Sequence, residues 1–133
     1  MNRSTEDVFV YIYRNPSRLS IEKPHERRLR LDKYCEERGY QKTGVLNIAE
    51  PISRCGSEIN WLTEYCRSHG IQKIVVDNIN DIGMTEMSIM MTSKNLCRQG
   101  FQIVIASDDL IISAVEELSE EPKEECSLTI GGM

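Results

Sequence analysis

Two stretches of the sequence bring together side chains that could do chemistry. In the first, YIYRNPSRLS, Arg14 leaves a β-rich run and Ser17 and Arg18 follow closely; in the second, VVDNINDIG, Asp77 ends another such run. Arg14, Arg18 and Lys23 could together bind a phosphate group, because cationic side chains make strong hydrogen bonds to phosphate oxygens. Solvated loop charges are the alternative for these cations, and a simple loop cap is the alternative for Asp77.

The sequence argues against a bound cofactor or metal ion. Neither a G-x-G-x-x-G turn nor a P-loop follows a strand, so a dinucleotide or a nucleoside triphosphate is not expected. The five cysteines are odd in number and contain no C-x-x-C pair, and the histidines are His25 and His69. We therefore predict free thiols, no cofactor and no metal site.

The charge balance bears on partners and location. The chain has a net charge of −5 and a sequence pI of about 5.1. A protein that grips a phosphate backbone needs a positive field, so any contact with DNA is predicted to be weak. Because the chain lacks both an apolar run of about 20 residues and a signal-peptide pattern, we expect a cytoplasmic protein without membrane contact.

The elements that must position these side chains alternate between β-rich runs and segments at helical spacing. Strands are predicted over Val8–Tyr13, Gly44–Ile48, Ile74–Val76 and Phe101–Ala106. Helices are predicted over Pro24–Arg38, over Glu58–His69, from Thr85 to Gly100, and from Asp108 or Asp109 to Leu118. This alternation predicts a three-layer α/β domain with a mostly parallel sheet of four to five strands flanked by helices. The domain is assigned to residues 1–120, and 121–133 are predicted to be an acidic, disordered tail because they lack apolar periodicity.

Two groups of large side chains are assigned to packing. Met87, Met90 and Met91 of the third helix are predicted to fill the core and not to hold a cofactor. Trp61 and Tyr65 lie at i and i+4 on the second helix, and we expect them to pack; a partner surface is the alternative.

Four motifs, in matching order and spacing, resemble the catalytic domain of serine recombinases, the resolvase and invertase family. YIYR resembles its first strand, KYCEERGY the end of its first helix, IVVDNINDIG its strand ending in L-D-R-L-G-R, and GFQIVIASDD its next strand. The likeness covers nearly the whole predicted domain. It implies a resolvase-like fold and site-specific DNA recombination. In that reaction a serine attacks a DNA phosphodiester to form a phosphoserine link, and arginines stabilise the transferring phosphoryl group.

The resemblance gives the candidate catalytic residues as Ser17, Arg14 and Asp77. Arg14 and Asp77 fall on the family's first-strand arginine and strand-end aspartate. The position of the nucleophile is occupied by Pro16, and Ser17 comes one place later. A nucleophilic role for Ser17 therefore requires a local shift of the loop, which the stiff Pro16 opposes.

Other positions depart from the family pattern in one direction, which is loss of positive charge. The two arginines that follow the strand-end aspartate fall on Asn78 and on or beside Asp81. The first-helix glutamine is replaced in the Arg27-Arg28 region, and a further arginine falls near Gly56. On this interpretation Asp81 puts negative charge where a phosphate should lie, so strand exchange is expected to be lost.

Three hypotheses of function follow. The leading one is a recombinase-like domain that has lost catalysis and acts through protein contacts, as a homodimer or with an intact recombinase, such as one encoded on a mobile element. Its contact surface would be the apolar side of the last helix, formed by Ile111, Ile112, Val115 and Leu118. The first alternative is an active recombinase fragment that uses Ser17. The second is a flavodoxin-like module that binds a small anion at Arg14.

Overall fold

The computed structural model describes residues 6–14 and 24–113 of the chain. These residues form one sheet with three helices and two 3-10 turns, Ile52–Arg54 and Ile79–Asp81. The strands are β1 Glu6–Tyr13, β2 Tyr40–Ile48, β3 Lys73–Val76, β4 Gln102–Ile105 and β5 Leu110–Ile112. The helices are α1 Pro24–Arg38, α2 Ser57–Ser68 and α3 Glu86–Arg98. No helix in this described part is long and apolar enough to cross a membrane.

The sheet has the strand order β2-β1-β3-β4-β5. The first four strands are parallel to their neighbours, and β5 runs antiparallel to β4. α1 covers one face, where Leu31 and Cys35 pack beside Val10 of β1, and α2 and α3 cover the other face through Leu62 and Leu96. The predicted three-layer α/β fold with a mostly parallel sheet is confirmed.

β2 is longer than the sequence indicated. It begins at Tyr40 and not at Gly44, because the stretch from Tyr40 to Lys42 pairs with the first residues of β1. Gly39, with φ of +76°, ends α1 and directs the chain into the strand without an intervening loop.

Aromatic side chains of α2 pack against the sheet beside β2. Phe9 of β1 contacts Trp61 and Tyr65 edge-on, with ring centroids 6.1 and 5.6 Å apart. The Phe9 ring also lies over Gly44, where an added Cβ atom would come within 2.7 Å of a ring carbon. The predicted packing role is confirmed for Tyr65, which packs against the core. Trp61 contacts Phe9 but is 51% exposed, so the alternative of a partner surface stays open for this residue.

The predicted last helix is wrong where the structure describes it. Leu110, Ile111 and Ile112 form β5 and pair with Ile105, Val104 and Ile103. The chain reverses just before this strand, where Asp109 has φ of +52°, a conformation that Asp tolerates better than most residues. Pairing with β4 therefore outweighs the local helical pattern. Val115 and Leu118, which complete the predicted helix, lie outside the described residues.

The predicted core role of the α3 methionines is also wrong. Met87, Met90 and Met91 are 62%, 50% and 63% exposed. The side of α3 that faces the sheet carries Leu96 and Cys97 instead, with Ile89 packed against the core. The methionines lie on the opposite side because the apolar residues of α3 occupy more than one helical face, and the stripe was assigned to the wrong one.

Candidate functional site

The candidate site lies at the carboxyl ends of β1 and β3, which are neighbours in the sheet. Arg14 follows β1 and Asp77 follows β3, so parallel pairing brings both residues to the same edge, where open α/β sheets bind ligands. Ser17, the third predicted catalytic residue, lies outside the described residues, as do Arg18 and Lys23 of the same loop.

Asp77 is buried and held by two arginines of α1. Arg30 makes two hydrogen bonds to its carboxylate, with Nη2 2.8 Å from Oδ2 and Nε 3.3 Å from Oδ1. The Nε of Arg27 lies 3.7 Å from Oδ2 of Asp77. This two-point contact from Arg30 fixes the orientation of the carboxylate, as paired guanidinium-carboxylate contacts do. Asp77 therefore serves as an anchor for α1 at this edge.

Arg27 links three elements at the site. It is 8% exposed, and its Nη1 donates a hydrogen bond to the carbonyl oxygen of Tyr13, the last residue of β1. The sequence analysis noted the Arg27 region but gave it no role. A signal was present, because Arg27 lies four residues before the buried Leu31 and so occupies the inner side of α1.

Arg14 lies on the other side of β1 from Asp77. Its backbone N–H donates to the carbonyl oxygen of Ile48, at 2.8 Å, and its Nε donates to Oδ1 of Asn47, at 3.2 Å. Both partners belong to β2, whereas Asp77 follows β3. The structure thus brings Arg14 and Asp77 to one edge of the sheet but directs the Arg14 side chain toward β2.

The loop after β3 uses its own polar side chains to cap itself. Oδ2 of Asp81 accepts hydrogen bonds from the backbone N–H groups of Asp77 and Asn78, at 3.1 and 3.3 Å. Oδ1 of Asn78 accepts from the N–H of Asn80, at 2.8 Å, which completes a capping box around the 3-10 turn. Asn78 and Asp81 thus stabilise the loop that carries Asp77.

Asp81 does not project negative charge toward a ligand, so that interpretation is wrong. The residue is 4% exposed and its carboxylate faces its own loop. Burial raises the pKa of Asp81 to about 6, while the nearby Arg27 opposes this rise and Asp77 adds to it. A buried carboxylate with a raised pKa is common at functional sites, and it also occurs in structural caps.

A crevice of about 300 Å³ opens next to Asp77, between α1 and the carboxyl ends of β3 and β4. Arg30, Lys33 and Tyr34 line it from α1, and Asp77 and Ser107 line it from the sheet. Charges of both signs meet in this crevice. It therefore suits a small polar ligand or a polar side chain, and it does not select for an anion.

The comparisons with known proteins support the fold. No protein-family model matches the sequence, and no curated protein matches it. The N-terminal catalytic domain of TP901-1 integrase superimposes with a TM-score of 0.66 at 14% identity, over 86% of this chain and 88% of that one. A resolvase family site-specific recombinase from Streptococcus pneumoniae gives 0.64 at 13% identity, over 86% and 88%.

A third solved structure has the same fold. The C-terminal catalytic domain of ISC1926 TnpA, an IS607-like serine recombinase, gives a TM-score of 0.60 at 16% identity, over 84% of this chain and 77% of that one. At such low identity these likenesses concern the fold alone. The chain therefore has the fold of serine recombinase catalytic domains, as the sequence resemblance predicted.

Proposed function

We propose that this chain is a serine recombinase-like domain that does not exchange DNA strands and acts through protein contacts, as a homodimer or with an intact recombinase. The fold and the four motifs support the recombinase-like part. The loop after β3 supports the loss of strand exchange, and the exposed edge strand β5 supports the role in protein contacts.

The loop after β3 carries the argument for lost catalysis. At the positions where the resemblance implies arginines, Asn78 and Asp81 hold the loop together through hydrogen bonds to its own backbone. Loss of one donor to a developing negative charge commonly costs about 3 kcal/mol of transition-state stabilisation. The two arginines of α1 are engaged by Asp77, which offsets part of their charge.

The β5 edge supports a role in protein contacts. β5 ends the sheet beyond β4, and Leu110 and Ile111 are 49% and 40% exposed there. An edge strand with exposed apolar side chains is a common site for pairing with another chain. Ile111 was already assigned to the contact surface from the sequence, and the contact is now proposed to involve a strand.

A second candidate function is strand exchange with Ser17 as the nucleophile. The observation that favours it is that Arg27 and Arg30 join Arg14 at one edge of the sheet, whereas the resemblance gave Arg14 as the one arginine among the candidate catalytic residues.

Light scattering tests the contact surface. The full chain is expected to show twice the monomer mass, and Ile111→Asp should reduce it to the monomer. Leu29→Asp is the matched control, because Leu29 is similarly exposed but lies on α1. A monomer at all concentrations that also fails to bind an intact recombinase would exclude the contact role.

Catalysis is tested with a supercoiled plasmid that carries the DNA flanking the gene. We expect no covalent protein-DNA adduct. An adduct that disappears in Ser17→Ala and persists in the control Ser20→Ala would replace the proposed function with the second candidate.

A further inference from the structure

α3 exposes a strip of methionines that no other described element covers. Met87, Met90 and Met91 of α3, here called the methionine face, are 50% to 63% exposed. They lie on the side of α3 that points away from the sheet, and a groove of about 430 Å³ between α2 and α3 adjoins them at Met91. Apolar patches of this kind mark contact surfaces on soluble proteins.

The described chain ends beside the last turn of α3, on the side of the helix that faces the sheet. β5 ends at Ile112, whose side chain packs into the core beneath α2 and α3. The Cys97 thiol, in the last turn of α3, donates a hydrogen bond to the carbonyl oxygen of Ile112, at 3.8 Å. Ser113, the last described residue, therefore lies close to the end of α3, and residues 114–133 follow it in the sequence.

The first part of that segment matches α3 in polarity and charge. Residues 114–121 read AVEELSEE, with Val115 and Leu118 among four glutamates. α3 has one acidic residue, Glu86, in its first turn, and its second half carries the exposed Lys94 and Arg98. A short segment with so few apolar residues is not stable as an isolated helix, so it needs a surface to order on.

The segment is also long enough. A helix rises about 1.5 Å per residue, so Met91 lies about 9 Å and Met87 about 15 Å from Cys97 along α3. Eight residues span about 12 Å as a helix and more when extended.

From these observations we propose that residues 114–121 dock on the methionine face of the same chain, with Val115 and Leu118 against the methionines and the glutamates near Lys94 and Arg98. This inference is separate from the proposed function, which involves the β5 edge.

Methionine methyl NMR on the full chain tests the docking. The chain has six methionines, and Met1 and Met133 serve as internal references. In the double variant V115D/L118D, the methyl signals of Met90 and Met91 should shift toward those of a solvent-exposed methionine. The matched control is Leu128→Asp, which makes the same change outside the segment and should leave these signals in place.

A mixing experiment separates docking within one chain from docking between chains. Unlabelled full chain is added to labelled V115D/L118D, and we expect no recovery of the original signals. Recovery, or signals that change with concentration, would show that a second copy supplies the cover and would overturn the proposal. Unchanged signals in V115D/L118D would overturn it as well.

Discussion

Replacing Asp81 with Asn should change how the stability of the fold depends on pH. The carboxylate accepts two backbone hydrogen bonds, from Asp77 and Asn78, and the amide oxygen of Asn can accept the same two. The substitution therefore keeps the cap and removes the charge. The difference in the free energy of unfolding between the natural chain and Asp81→Asn therefore reports the cost of holding a buried negative charge.

The pKa of Asp81 gives the size and the sign of this cost. Folding raises it from 3.8 to about 6, mainly through burial, so the folded state binds the proton more tightly than the unfolded state. For this group, stability is thus lowest above pH 6 and rises as the pH falls toward 3.8. One pKa unit corresponds to about 1.4 kcal/mol, so the full effect is about 3 kcal/mol. Between pH 8 and pH 5, the contribution of Asp81 to the free energy of unfolding changes by about 1.4 kcal/mol.

Urea unfolding at pH 5, 6, 7 and 8, followed by circular dichroism, measures this effect. The free energy of unfolding of Asp81→Asn minus that of the natural chain should be about 1.4 kcal/mol larger at pH 8 than at pH 5. The control is Asp108→Asn, which makes the same substitution at an exposed aspartate. An Asp81→Asn difference that is equal at the two pH values would refute the claim that this carboxylate is ionised at a cost.

Three further substitutions test buried contacts, one at the site and two elsewhere in the fold. Arg27→Met should lower the free energy of unfolding by about 3 kcal/mol, because it removes a buried partner of Asp77, whereas Arg28→Met on the exposed side of α1 should change it by less than about 0.5 kcal/mol in the same urea titration. Gly44→Ala should cost about 1 to 3 kcal/mol because of the Phe9 ring, and a double-mutant cycle with Phe9→Leu should recover part of that cost. Ser93→Ala should raise the melting temperature, since the buried Ser93 hydroxyl has no hydrogen-bond partner among the described residues.

The parts of the fold that were predicted correctly are those specified by local sequence. β3 and β4 are continuous apolar runs, and α3 begins at the Thr85 cap, whose side chain accepts from the N–H of Ser88. β5 was missed because three apolar residues fit a helix or a strand equally well, and only the distant partner β4 decides between them. The orientation of α3 was missed for a similar reason, since which of its apolar sides is buried depends on where the sheet lies.

The sequence predicted where Arg14 and Asp77 lie in the fold, but it did not predict which residues they contact. Arg14 and Asp77 were placed correctly at strand ends, because the order of strands and helices brings those ends to one edge. The partners of Asp77 come from α1, about 50 residues earlier in the chain, and motif spacing gives no information on such a distant contact. The same holds for Asp81, whose sequence position resembles a ligand-facing one although its carboxylate points back into the loop.

The distribution of charge along the chain changes what its acidity implies. Residues 114–133 contain six glutamates and one lysine, which equals the net charge of −5 of the whole chain, so residues 1–113 are neutral overall. The net acidity that argued against DNA contact therefore comes from residues 114–133 and not from residues 1–113. Weak DNA contact then has to be argued from the site itself, where Asp77 offsets the arginines of α1. If residues 114–121 dock on α3, their four glutamates lie near Lys94 and Arg98, on the side of α3 that points away from the sheet.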